Sequence, residues 1–522
     1  MKSIFPYAPL LAIASVALAK TESVTLDIVN AQIAPDGFVR SGVTANGIYP
    51  GPLISANKGD RLVVKVNNKL TDHTMRRSVA MDFDGVFVDT ASIYDEGTDF
   101  VTACPLGPNM SYTYELPLGT QTGTFWYHSQ LGVQYVDGLR GPMVIYDPQD
   151  PYRHLYDVDD SSTIVQLGDW WQNTSTSLLA GYEATGVVPI SDSGTVNGVG
   201  RYQGGPEVPW PVLNVVHGKR YRFRVINQSA RNIFTISFDK HDFTIIEADG
   251  ELVKPFTTDE LLILAGQRYS IVLNANQKIA NYWFNAPFVG GVPARNLHQN
   301  ATLTRAILRY AGAPKRDPMA PMTLGPLNGT GGTVEHLLAP LVPEAPGESA
   351  VNLTFQLSVV AGQAVWQMNN ISYLPPETPT LVKILDGANT TADFNATENT
   401  FILPANSVIQ VDFPPSEDDE SHPFHLHGNN FWVIKSNSSD VVNTVNPIKR
   451  DTVAVGAAGT TIRFRTDQPM PAFFHCHIFW HKQAGLASVM ASGLDDIRAE
   501  VHPDAEWENL CAAYNVLPED EQ

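Results

Sequence analysis

The sequence predicts an all-β protein made of three consecutive β-sandwich domains. Three observations carry that expectation. The chain has 522 residues, enough for about three domains of roughly 100–200 residues each. It holds 39 Gly and 37 Pro with only 17 % charged residues, a balance that suits turn-rich β-structure over a helical bundle. Two strand patterns also recur three times along the chain, at a spacing of domain size.

The first pattern is Arg61-Leu62-Val63-Val64-Lys65-Val66-Asn67. It returns as Arg220-Tyr221-Arg222-Phe223-Arg224-Val225-Ile226-Asn227 and as Ser407-Val408-Ile409-Gln410-Val411-Asp412-Phe413. Each alternates with period two after a turn signal, as a half-buried strand does. The second pattern is Gly123-Thr124-Phe125-Trp126-Tyr127-His128, then Asn281-Tyr282-Trp283-Phe284-Asn285, then Pro471-Ala472-Phe473-Phe474-His475. Only the first and third copies end in histidine, so the middle domain reads as structural. The expected domains are 20–149, 150–315 and 316–522. The first boundary follows Asp147-Pro148-Gln149-Asp150-Pro151, and the stretch from Ala313 to Pro343 serves as linker into the third domain.

Residues 1–19 read as a signal peptide. Lys2 precedes an apolar stretch, Leu10 to Val16, that closes on Ala17-Leu18-Ala19, the small-residue pattern of a cleavage site. A membrane anchor is the alternative, but the apolar run is short for a span. Ten N-x-S/T sequons follow, at Asn109, Asn173, Asn227, Asn300, Asn328, Asn352, Asn370, Asn389, Asn395 and Asn437. That density fits a secreted, extracellular glycoprotein. The net charge of −20 argues against a nucleic-acid partner, which needs a basic face, and against an anionic membrane surface.

Three cysteines remain, Cys104, Cys476 and Cys511. Cys476 lies between two histidines and is assigned to a metal. Cys104 and Cys511 are then left to pair as a disulfide that ties the first domain to the C-terminal tail. Three buried thiols are the alternative.

Six of the 14 histidines fall between residues 422 and 481. In His422-Pro423-Phe424-His425-Leu426-His427, the last two histidines share one face of a strand. In His475-Cys476-His477 the thiol points one way and both imidazoles the other, so one strand can feed two metal sites. His481 follows closely enough to return to the metal of Cys476. Two His, one Cys thiolate and a weak or absent axial ligand make a blue-copper electron-transfer site. It is assigned to His422, Cys476 and His481, with Leu486 as a non-ligating axial neighbour. A tetrahedral zinc site from the same residues is the alternative.

These motifs give the chain a resemblance to the fungal laccases, which are three-domain multicopper oxidases. It spans nearly the whole mature chain and includes Gly123 to Ser129, Gln134-Tyr135, Asp137 to Pro142, His422 to Gly428, and His475-Cys476-His477-Ile478 with Trp480-His481. The fold implied is three cupredoxin-like Greek-key sandwiches. The resemblance further implies a type 1 copper that takes electrons from phenols. Cys476, His475 and His477 would pass them to a trinuclear copper cluster, where dioxygen becomes water.

The departures from that pattern fall on the cluster. The family places eight histidines there in four His-x-His pairs. The first pair reads Asp82-Phe83-Asp84 here and the second reads His128-Ser129-Gln130. His128, His425, His427, His475 and His477 remain. By family correspondence, the type 2 copper would keep His425 and meet Asp82. One type 3 copper would keep His128 and His477 and meet Asp84; the other would keep His427 and His475 and meet Gln130. Carboxylate is a harder ligand than imidazole for copper and a neutral amide a poor one. Phe479 stands where the family carries a proton-moving acid, while a second acid is kept as Glu96, or as Asp95 with a one-residue shift. Val136 and Ala230 replace both halves of a family disulfide. Arg231 replaces the acid that accepts the phenol proton beside the exposed type 1 histidine, His481. A guanidinium cannot serve as that base, but it can bind an anion; pairing with an acid such as Asp239 is the bland alternative. The run Glu417-Asp418-Asp419-Glu420 reads as a solvated loop, with a docking patch as the alternative.

The expected function is that of a secreted laccase-like blue copper protein. It would hold one type 1 copper and exchange single electrons with a small phenolic or anionic reductant, or with an oxidase or other redox partner. Its oxygen-reducing cluster would be impaired or absent. A functional laccase with up to four coppers is one alternative, within which iron on His128, His477 and Asp84 is a variant. A non-catalytic subunit or copper-binding partner of an active laccase is another.

Overall fold

The computed structural model describes residues 20–291, 295–319, 333–416 and 420–518. The leader at 1–19 lies outside the described residues, as do Glu417, Asp418, Asp419, Asn328 and much of the Pro-rich stretch before Pro343.

The N-terminal part pairs two four-stranded sheets. One runs in the order Arg40–Ala45, Thr21–Ile33, Arg61–Asn68, Ser111–Pro117. The other contains Ile54–Asn57 and three strands labelled here β1 (Met81–Asp84), β2 (Gly123–Ser129) and β3 (Arg140–Tyr146), with β1 at its edge. Burial along Arg61–Asn68 alternates, as its period-two pattern predicts, and Leu62, Val64 and Val66 enter the core.

The middle part has a seven-stranded and a six-stranded sheet. Its strand Arg220–Asn227 is buried on almost every residue, not half-buried as the alternation suggests. The first part covers its arginine face: Arg224 donates to the Thr124 hydroxyl at 2.9 Å. Arg222 and Arg224 are matched by Asp150, Asp159 and Glu247, which makes this burial of charge tolerable.

In the C-terminal part, one five-stranded sheet holds Val351–Thr354, Val408–Phe413 and Thr460–Arg465. The second holds Thr400–Leu403 together with β4 (His422–Leu426), β5 (Thr452–Val455), β6 (Met470–Cys476) and β7 (Ala487–Ser492), with β6 between β4 and β7. After β6 the chain turns into α1 (Phe479–Gln483). The terminal helix α2 (Ala505–Tyr514) returns to the first part. There Cys511 forms a disulfide with Cys104, and the Trp507 indole donates to the Thr102 carbonyl at 3.1 Å.

Asn227 corrects one sequence expectation. It is fully buried, and its amide donates to the Asn232 and Ile263 carbonyls at 2.9 and 3.0 Å. It therefore holds a turn and is closed to glycosylation. Among the described residues, no helix is long and apolar enough to cross a membrane.

Candidate metal centre

β6 lies antiparallel to β4, with Phe424 opposite Cys476 and His425 opposite His475. Because successive side chains leave a strand on opposite faces, Cys476 and the two flanking histidines serve separate sites. On one face, Cys476 Sγ is 3.7 Å from His422 Nδ1 and 3.9 Å from His481 Nδ1, and the two Nδ1 atoms are 3.2 Å apart. Donor atoms about 2.0–2.3 Å from one ion are about 3.5–4.0 Å apart when they surround it in a plane. The three donors are fully enclosed, and their chemistry fits copper. The Cys476 N–H donates to the Leu486 carbonyl at 3.1 Å and the Leu486 N–H to the His481 carbonyl at 2.9 Å. Leu486 thus braces two of the three ligands through its backbone, and its side chain offers no donor atom.

The surroundings of His481 differ from the sequence expectation. The ring is fully buried and not exposed. Trp366 stacks on it at 4.2 Å between centroids and also lines a groove of about 600 Å³ with Pro414, Pro415 and Val455. Glu420 Oε2 stands 3.9 Å from His481 Nε2. Arg231, itself buried, donates from Nε and Nη2 to the two Glu420 oxygens at 3.1 and 3.2 Å. Its partner is therefore Glu420; Asp239 instead accepts from Asn285 at 2.9 Å. The guanidinium that was expected to receive an anionic reductant is already matched by a carboxylate. Glu420, the described end of the acidic run, is part of this mouth.

On the opposite face of β6, His475 and His477 enter a closed cavity with His425 and His427 from the end of β4. β1 and β2 supply the other wall, with Asp82 paired to His128 across the ladder. The cavity has two unlike corners. In the first, His427 Nε2 and His475 Nε2 are 3.0 Å apart, and the Gln130 amide nitrogen lies 3.5 and 3.3 Å from them. His427 donates from Nδ1 to Glu96 at 2.5 Å, and Thr98 Oγ1 is 2.9 Å from the same nitrogen. Glu96 is therefore the acid at the cavity. Asp95 instead accepts from the Tyr112 hydroxyl at 2.5 Å.

In the second corner, Asp84 Oδ2 is 2.9 Å from His477 Nε2 and 3.7 Å from His128 Nε2, and Asp82 Oδ2 is 3.4 Å from His128 Nε2. His425 does not join Asp82 as the family correspondence suggests. Its Nε2 faces Asp84 Oδ1 at 3.6 Å, and its Nδ1 donates to the Asp451 carbonyl at 3.0 Å. The buried Arg268 guanidinium, matched to Asp451 by two bonds of 2.7 Å, closes that side. Gly85, at φ +83°, permits this approach, because a Cβ there would overlap the guanidinium.

Electrostatics follow from the carboxylates. Burial alone would lower His425, but Asp84 and Asp451 outweigh it and push it up to about 9. Burial would likewise lower His427, and Asp82 and Glu96 reverse that. Burial raises Asp82 to about 7 against the pull of His427. Asp84 is held well below its usual range because His425, His128 and His477 outweigh its burial. His128, where burial dominates, falls to about 4. Phe479 packs edge-on to His128 at 5.4 Å and tilted to His477 at 5.3 Å, a hydrocarbon edge beside the histidines of the cavity. Two carboxylates and an amide occupy positions that an all-imidazole three-copper cluster needs, so this donor set does not fit that cluster.

Sequence reasoning missed Trp366, Glu420 as a neighbour of His481, and Asp451. Trp366 and Asp451 lie in no motif, and Glu420 ends the acidic run read as a solvated loop; only a tertiary contact brings each to its site.

Family models described as multicopper oxidase match residues 27–150, 161–313 and 373–496. Laccase-2 of Agaricus bisporus is 43 % identical over 508 residues, covering 96 % of each chain. A laccase-like protein of Ampulloclitocybe clavipes is 52 % identical over 419 residues, 73 % of this chain and 96 % of its own. The solved laccase of Botrytis aclada superposes with a TM-score of 0.83 at 28 % identity, over 95 % of this chain and 92 % of that one. With the three cupredoxin-like sandwiches and the copper-binding set on β4, β6 and α1, these likenesses place the chain: it belongs to the multicopper oxidase family, among the fungal laccases, with copper as its cofactor.

Proposed function

We propose that this protein is a secreted one-electron carrier of the laccase type, with a working type 1 copper site and without efficient four-electron reduction of dioxygen. One observation carries the reading. His422, Cys476 and His481 converge on a common centre, whereas Asp82, Asp84 and Gln130 stand among the cavity histidines. Copper held by His422, Cys476 and His481 supplies a one-electron acceptor and donor. The rest is done by the chain. Enclosure of all three ligands keeps water from the site, and the Ile478 N–H donates to Cys476 Sγ at 3.4 Å, withdrawing charge from the thiolate. Leu486 adds no axial donor, which favours the reduced metal. The electron donor in this reading is a small phenol or a redox partner protein. An anionic donor has less support, since Glu420 neutralises Arg231. The leader at 1–19, the exposed sequons such as Asn109, Asn352 and Asn389, and the disulfide support secretion.

A second reading is a functional phenol-oxidising laccase. The 43 % identity to Laccase-2 of Agaricus bisporus over 96 % of both chains favours it, as does the persistence of five histidines in one buried cavity. Copper per chain, the visible spectrum and oxygen uptake with phenols decide between them. About one blue copper with negligible oxygen uptake is the expected result. Four coppers with rapid uptake would establish the second reading.

A further inference from the structure

We propose that the corner formed by Asp84, His128 and His477, with Asp82 beside it, binds one divalent cation of the kind that accepts mixed imidazole and carboxylate ligands, such as manganese, iron or zinc. This rests on the preceding reading, in which the all-imidazole cluster is absent.

The argument is one of donors and acceptors. A backbone carbonyl can only accept, so a ring nitrogen facing one carries the hydrogen. His475 Nδ1 faces the Cys476 carbonyl at 3.0 Å, leaving a lone pair on its Nε2. The Gln130 amide meets that lone pair from 3.3 Å. That corner is closed by its own hydrogens and has no need of an ion.

The other corner is only partly closed, by the hydrogen bond between His477 Nε2 and Asp84 Oδ2 at 2.9 Å. His128 Nδ1 donates to the Ser129 carbonyl at 3.0 Å, so its Nε2 also presents a lone pair. Facing it are Asp82 Oδ2 at 3.4 Å and Asp84 Oδ2 at 3.7 Å, which are acceptors when ionised. Neither His128 Nε2 nor Asp82 Oδ2 makes a hydrogen bond, and both side chains are at least nine-tenths buried. Unpaired buried acceptors aimed at one another are costly, and a cation between them removes the cost. Donor atoms about 2.0–2.1 Å from one ion lie about 2.8–3.4 Å apart in octahedral or tetrahedral arrangement. Of the distances among these atoms, 2.9 and 3.4 Å fall in that range and 3.7 Å lies slightly above it. Two imidazoles with one or two carboxylates suit iron, manganese or zinc. Asp84 is also positioned from behind, since Arg268 Nη1 lies 3.5 Å from its other oxygen, as outer partners commonly orient a ligating carboxylate.

The test uses the full chain. Copper binds most nitrogen and oxygen sites more tightly than manganese or iron at equal concentration. The protein is therefore first given one equivalent of copper, with blue absorbance marking the type 1 site. Mn2+, Fe2+ under argon and Zn2+ are then titrated separately and metal per chain is measured, with Mn2+ also followed by its electron paramagnetic resonance. One added ion per chain is expected. Asp84→Ala should weaken its binding on the order of 100-fold or more while the blue absorbance persists, and Asp84→Glu should restore it in part. If Asp84→Ala fails to fold, Asp82→Asn and His128→Ala provide the same comparison. No added ion in blue protein, or equal binding in the variants, would overturn this inference and leave the proposed function standing. Four coppers with fast oxygen uptake would overturn both.

Discussion

The two faces of β6 make opposite uses of histidine. On the Cys476 face, three donors from β4, β6 and α1 meet within 3.9 Å of one another. On the other face the histidines stand among carboxylates and an amide: Gln130 beside His475, Asp84 beside His477 and His425, Glu96 beside His427, and Asp82 beside His128 without a hydrogen bond. The difference teaches that a count of histidines does not define a copper site. What matters is whether the lone pairs are left for a metal or met by neighbouring side chains.

The sharpest way to separate the faces is Cys476→Ser. Without the thiolate the blue absorbance should vanish entirely, since that colour belongs to the copper–thiolate bond. Binding of a divalent ion at Asp84 should be unchanged, because the side chain of residue 476 points away from that cavity. Parallel loss of both in a folded variant would mean that the faces are not independent.

Restoring the cavity gives the next largest effect. Asp82→His, Asp84→His and Gln130→His together re-create the imidazole set that the family pattern implies. Copper per chain should rise toward four, and oxygen uptake with phenols should rise with it. Phe479→Asp, added to the triple variant, returns an acid beside His128 and His477 and should raise uptake further. A triple variant that still holds one copper would show that Arg268 and Asp451, not the three substituted side chains, set the cavity's preference.

Much of this was legible from local pattern. The period-two runs at Arg61, Arg220 and Val408 are strands, and His-Cys-His on a strand dictates two faces whatever the rest of the chain does. What was not legible depends on distant residues meeting. Arg231 and Glu420 are 189 positions apart, and the approach of His425 to Asp84 rather than Asp82 depends on how β1 docks against β4. The burial of Asn227 is of the same kind. Motif reading also assigns Arg222 and Arg224 to an open face, because alternation cannot reveal that a neighbouring domain covers it.

A smaller effect distinguishes the faces through pH in metal-free protein. Asp82 titrates near 7 and His425 near 9, both above their ordinary values. The fold therefore favours the protonated form of each. Asp82 contributes its share below about pH 4 and loses it as pH rises through 7. His425 contributes fully below about pH 6.5 and loses its share as pH rises through 9, a change of about 3 kcal/mol. Metal-free protein should thus melt at lower temperature at pH 9 than at pH 7.5, a window above the range where the buried neutral histidines such as His128 change stability in the opposite sense. An added divalent ion should flatten the trend, since it replaces protons between the same acceptors. A flat profile without metal would mean that Asp84 and Asp451 do not hold His425 charged.

The smallest effect concerns how electrons reach His481. The Arg231–Glu420 pair is partly open to solvent, with Glu420 23 % exposed, so it is worth about 0–1 kcal/mol to stability; its interest lies in where it sits. Glu420 Oε2 stands 3.9 Å from His481 Nε2, and Arg231 occupies both of its oxygens. Arg231→Ala should leave those oxygens open to a phenol hydroxyl and speed bleaching of the blue copper by a neutral phenol several-fold in stopped flow. Glu420→Gln on that background should reverse the gain. If neither variant changes the rate, the phenol does not enter beside the ion pair. The route then runs over Trp366, whose ring bridges the groove at Pro414 and the His481 imidazole, and Trp366→Ala should slow the reaction where Arg231→Ala did not.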